Sequence, residues 1–194
     1  LCLQEVDNME ALKAFEYGYL FKMIGQGYRQ KYTTSGNDSR GIDVAVMLRA
    51  ETAHGQPIEF VRMTSHAHVT YADFGLHTPE LAELGNEAHE RIFRRDCLEN
   101  DVTVAVRPLT IYSLLFKSMG SPRNGLDGRE ATMPIRIAEA QAVRRIIEDR
   151  FGKDHAGDKR GRSHQNGSQP VHTTFVDCLS AIHPFVSELL DMVD

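Results

Sequence analysis

The chain has 194 residues, 41% of them apolar and 25% charged, with a formal net charge of −5. That balance fits one soluble globular domain with a real core, and it argues against a strongly electropositive nucleic-acid surface, while leaving room for a local basic groove. No apolar run approaches the ~20 residues that span a bilayer, so no membrane partner is expected, and three cysteines give no disulfide framework, which makes the reducing cytoplasm the default compartment.

The opening stretch, Leu1-Cys2-Leu3-Gln4-Glu5-Val6-Asp7-Asn8, reads as the end of a buried strand that delivers Glu5 to a sheet rim. In open α/β architectures ligands gather outside the carboxyl ends of strands. A carboxylate there suits a hard cation such as Mg²⁺, and it equally suits a helix cap or water. There is no leading Met, and a chain opening inside a strand is expected to be a fragment lacking at least one strand upstream.

Asp7 or Asn8 can cap a helix over residues 9–23, whose Leu12, Phe15, Tyr19 and Met23 form one apolar face expected in the core. Gly25 and Gly27 stop it. Residues 28–34 read as a strand and 35–38 as a turn. Residues 42–48 are almost continuously apolar, as in a strand buried on both faces, and Arg40 and Asp43 stand at its mouth. After a loop over 50–57, residues 58–71 alternate as a strand. His66 and His68 would then share a face, with metal-ligand spacing or simply as a polar edge.

Residues 73–90 form a loop with a helical piece from Pro79, capped by Thr78. Residues 94–106 and 109–116 read as a hairpin turning at Arg107-Pro108. A loop follows over 120–129. The clearest helix runs over 132–151, striped by Ile135, Ala138, Ala142 and Ile146, with an outer Arg144–Glu148 pair, and it stops at Gly152. From about residue 161 the chain turns polar, and 184–193 reads as a further helix. No Walker or Rossmann loop, no Gly-x-Ser-x-Gly elbow, no Cys-x-x-Cys and no internal repeat is visible.

In order, LQEVD, a helix, a strand, then Ser39-Arg40-Gly41-Ile42-Asp43-Val44-Ala45-Val46-Met47-Leu48-Arg49, and finally Phe116-Lys117-Ser118-Met119-Gly120 resemble the endonuclease/exonuclease/phosphatase superfamily. The resemblance covers about residues 1–160, as an incomplete domain, and leaves 161–194 as a divergent tail. It implies a four-layer α/β/β/α sandwich of two mixed sheets, truncated here, in the α/β (α+β) class. It also implies metal-dependent hydrolysis of phosphodiesters, with nucleic acid among the candidate substrates. Glu5 would be a ligand to Mg²⁺ or Mn²⁺. Arg40, Asp43 and Lys117 would be catalytic, Arg40 and Lys117 supplying charge to a phosphate. The bland alternatives are a surface Arg–Asp pair and a solvated lysine at a strand end.

The sequence departs from the family pattern in several places. Leu114 and Leu115 stand where the family has Asn-His before Phe-Lys-Ser, and a Leu can neither donate a hydrogen bond nor carry a proton. The family's Gly-Asp-Leu-Asn-Asp strand and closing Asp-His pair are not found. The expected outcome is impaired turnover, or a non-catalytic binding relic. Lost strands would also leave sheet edges through which copies could associate.

Overall fold

The computed structural model describes residues 1–119, 125–152 and 172–177, the last six as a strand backbone. The described chain is an α+β protein containing two sheets. It divides into two compact units. The first comprises Leu1–His66, Arg95–Leu115 and the strand His172–Asp177; the second comprises Ala67–Arg94 and the chain from Phe116 through the long helix.

In the first unit, β1 (Cys2–Val6), β2 (Gln30–Thr33) and β3 (Asp43–Leu48) form an antiparallel sheet in the order β1-β3-β2. Every residue of β3 is buried, because both of its faces are covered. Ala45 and Met47 pack with Leu12 and Val6, beneath α1 (Met9–Phe15). Val46 and Leu48 pack on Val102 of the second sheet, with Phe60, Leu109 and Ile111 around them. The near-continuous apolar run is therefore what a middle strand between two cores requires. Each such Val or Leu contributes roughly 1.5–3 kcal/mol on burial.

The second sheet has the order β4-β5-β6-β7. β4 (Ile58–Ser65), β5 (Cys97–Val104) and β6 (Arg107–Leu114) run antiparallel, and β7 (His172–Asp177) adds parallel to β6. Tyr32 of the first sheet stacks on Phe60 of the second, ring centroids 3.8 Å apart. The two sheets thus face each other across an apolar layer, with α1 on the outside of the first.

Two expectations are corrected here. The hairpin turns at Ala105-Val106 rather than at Arg107-Pro108, since Val104 pairs with Arg107 and Thr103 with Pro108. Pro108 is tolerated because β7 begins pairing only at Leu109, so its missing N–H is not needed on that side. The helical stripe is corrected as well. Leu12 is buried, but Phe15, Tyr19 and Met23 are exposed. Asn8 caps α1 through its Oδ1, which accepts the Ala11 N–H at 2.9 Å. The helix then widens into a π-turn over Glu16–Leu20 before α2 (Phe21–Ile24), and the change of pitch shifts the phase of every later residue.

In the second unit, α3 (Tyr71–Phe74) and α4 (Pro79–Glu83) precede the long helix α5 (Met133–Phe151). Thr78 caps α4, and Arg144 donates to Glu148 at 2.8 Å, both as expected. α5 buries Ile135, Ala138, Ala142, Val143, Ile146 and Ile147. It also buries Glu139 completely. That carboxylate accepts the backbone N–H of Arg94 at 3.1 Å and of Lys117 at 2.7 Å, so the acid ties two chain segments to the helix. The expected helix over 184–193 lies outside the described residues.

Candidate functional site

β1 and β3 run antiparallel, so the end of β1 and the start of β3 meet at one rim of the first sheet. The ladder pairs Leu3 with Ala45 and then Val6 with Asp43. Gln4 and Glu5 therefore oppose the single residue Val44, which makes a β-bulge. Glu5 absorbs the extra residue with φ of 57°, in the left-handed region that a side chain with a Cβ disfavours. It is exposed. Bulges of this kind re-aim a side chain next to functional sites, and strain held at one residue is a pointer to function.

The loop between β2 and β3 completes the rim. Asp43 is buried, and its Oδ1 accepts the Gly36 N–H at 2.7 Å. Gly36 lies so close to its neighbours that an added Cβ would meet the Arg95 carbonyl at 2.9 Å and Asp43 Oδ1 at 3.2 Å. Asn37 continues the attachment by donating its N–H to the Arg95 carbonyl at 3.0 Å. Asp38 is the hub. Its Oδ1 accepts the backbone N–H and Nε of Arg40 at 2.9 and 3.0 Å, and its Oδ2 accepts Arg40 Nη2 at 2.8 Å. Arg95 Nε lies 3.1 Å from the same Oδ2, on a side chain almost wholly buried. The hydrogen bonds from Arg40, with the charges of Arg95 and Arg40 behind them, hold the Asp38 carboxyl down at about 2.

Arg40 is held in place without being used up. Its Nε and Nη2 face Asp38, while the guanidinium has five N–H donors in all and the side chain is exposed. The hydrogen bonds it donates to Asp38 raise its pKa, followed by the charge of Asp38 and then that of Glu5. Glu5 and Arg40 are thus within electrostatic reach at the same rim. Asp7 stands beside them, its Oδ1 4.0 Å from where a Cβ on Gly41 would sit.

Of the four residues expected to act, the structure brings Glu5, Arg40 and Asp43 to one rim. Asp43 fastens the loop there. Lys117 belongs to the second unit, where Glu139 holds its backbone and its Nζ donates to the Ser118 carbonyl at 3.3 Å. The histidine pair is not a pair. β4 ends at Ser65, before either residue; His66 Nε2 lies 3.0 Å from Glu99 Oε2 in the first unit, while His68 is exposed in the second.

A dedicated cation site needs several converging ligands. Among the described residues no group of three or more His, Cys, Asp or Glu side chains could hold a metal ion. The reason is visible: Asp38 spends its oxygens on two arginines and Asp43 gives one to Gly36. That leaves Glu5, with Asp7 behind it. The described residues alone do not make a metal centre; they make a fixed guanidinium beside a lone strained carboxylate. No helix among them is long and apolar enough to cross a membrane. Comparison with protein-family models, with curated proteins and with solved structures finds no match.

Proposed function

We propose that the chain is built on the plan of a metal-dependent phosphodiester hydrolase, and that in this chain the phosphoester-binding part of the site outlasts its catalytic power. Glu5 would offer the carboxylate to Mg²⁺ or Mn²⁺, and Arg40 a guanidinium edge to a phosphoryl oxygen. Asp38, Asp43 and Arg95 position Arg40. Mg²⁺ is commonly held by one or two carboxylates together with substrate phosphates. One acid therefore predicts weak cation binding that strengthens when a phosphodiester, such as a nucleic-acid strand, is present.

The observation that supports this most is the left-handed φ of Glu5 on its bulge, beside a guanidinium already locked by Asp38. Gly would adopt this conformation without the steric cost that Glu5 bears. The second reading, a non-catalytic binding protein, is favoured by Leu114 and Leu115, which cannot hold or move a proton at the end of β6.

The test is hydrolysis of an aryl phosphodiester in Mg²⁺ or Mn²⁺ and again in chelator. The proposal expects slow, chelator-sensitive turnover that Glu5→Gln abolishes. Turnover unchanged by chelator or by Glu5→Gln would overturn it. No turnover, with cation-dependent binding retained, would select the second reading.

A further inference from the structure

The segment from α1 to α2 exposes more apolar surface than its neighbours explain. Tyr17, Tyr19 and Met23 are 72%, 65% and 79% exposed, and Phe15, Phe21 and Ile24 are exposed beside them. They form two stripes. Tyr17 stacks on Phe21, and Phe15 contacts Tyr19. Through the π-turn, residues four apart stay close to one turn and residues two apart close to half a turn, so Tyr17 and Phe21 lie on one side of the axis and Phe15, Tyr19 and Met23 on the other. Met9, Leu12 and Leu20 pack the segment on its sheet, and Glu16 ties it to Lys31 of β2. Every residue from Phe21 to Gly25 is exposed, so the helix ends as an apolar tip.

A helix that is apolar on opposite sides is usually buried all round, and contiguous exposed apolar surface marks an interaction site. One flat protein face could cover one stripe but not both. A fluid phase that surrounds the tip covers both.

The charges at the base choose among fluid surfaces. Glu10 is paired with Lys13 at 2.6 Å, and Glu16 with Lys31 at 3.2 Å. Lys22 and Arg29, both exposed, are the remaining charges of the segment, and both are positive. Gly27, two residues before Arg29, lies against Phe21 and Glu16, so the cationic end stays beside the tip. Aromatic side chains with a polar end, such as Tyr17 and Tyr19, favour the headgroup level of a bilayer. Lys and Arg just outside it are attracted by anionic lipid.

We propose that this tip is a peripheral membrane anchor. Tyr17, Tyr19, Phe21, Met23 and Ile24 enter the interfacial layer of an anionic bilayer, and Lys22 and Arg29 meet its headgroups. No helix among the described residues is long and apolar enough to span the membrane. The anchor does not depend on the phosphodiester site at the sheet rim.

The full chain would be sedimented with phosphatidylcholine vesicles, with and without phosphatidylserine, alongside Tyr17→Ser/Phe21→Ser/Met23→Ser and Lys22→Gln/Arg29→Gln. All five side chains are exposed, so both variants should fold, and far-UV circular dichroism checks this. The proposal expects binding to the phosphatidylserine vesicles, its loss in the triple variant, and a drop of roughly tenfold or more in the charge variant. Binding that is unchanged in the triple variant would overturn it. So would an absence of vesicle binding, whether the chain then sediments alone as a monomer or as a self-associated species that the triple variant dissolves. Either would assign the tip to something other than lipid.

Discussion

At the scale of single residues, function is read from where local preference is violated. Glu5 pays about 1 kcal/mol to sit in a left-handed conformation. Glu5→Gly is therefore expected to raise stability by about that much in a denaturant titration, while abolishing cation-linked phosphodiester binding. A gain in stability with binding intact would strip Glu5 of its role. Asp38 gives a second prediction. Its folded carboxyl titrates at about 2, below the ordinary value near 4. The stability it contributes is therefore fully present above pH ~4 and is lost as pH falls towards 2. Asp38→Asn should lower Tm near neutral pH, by about 2–4 °C for each kcal/mol lost in a chain of this size. It should also flatten the acid limb of the stability curve between those two values. That Glu5, Arg40 and Asp43 lie towards one rim of the first sheet was readable from motif order. The Asp38–Arg95 contact was not, because it joins residues far apart in sequence with no periodic signal. The nearer hint, an acid two residues before Arg40, gave only the local half.

At the scale of elements, the sequence was most readable where one pattern served one environment. β3 reads as apolar throughout because it lies between two cores, and α5 reads as a helix because its stripe is buried along most of its length. It was least readable where geometry departed from the regular form. The π-turn over Glu16–Leu20 breaks the phase of the helix, so a stripe drawn at constant pitch mistook exposed aromatics for core. The β5–β6 turn misled for a different reason. Ala105 has φ of 56° at the first central position, which a type II′ turn ordinarily gives to Gly. Ala105→Gly should thus stabilise the hairpin by roughly 0.5–1 kcal/mol, read as a higher denaturation midpoint with an unchanged m-value. Gly36→Ala should do the reverse. The added methyl meets the Arg95 carbonyl at 2.9 Å, and overpacking of this kind costs about 1–3 kcal/mol. Because that contact ties the β2–β3 loop to the start of β5, the variant should also weaken phosphodiester binding through Arg40.

At the scale of the whole molecule, the first unit carries the site's architecture: a sandwich of two sheets, with a bulged strand end and an anchored loop meeting at one rim. The α+β class was expected from the resemblance, and the alternation of strand-like and amphipathic stretches suits it. The site was only partly legible, because a resemblance names residue types and leaves open whether their oxygens are already engaged by arginines or a glycine. That distinction separates a rim proposed to bind a phosphoester from a working metal centre.

The central claim is that Glu5 and Arg40 serve one ligand. Calorimetric titration with a non-hydrolysable phosphodiester analogue, with Mn²⁺ present and then chelated, tests it in the wild type, Glu5→Gln, Arg40→Gln and the double variant. The account predicts binding that needs the cation, falls about tenfold or more in each single variant, and falls in the double variant by less than the product of the two. Binding indifferent to Mn²⁺, or two losses that simply multiply, would contradict it.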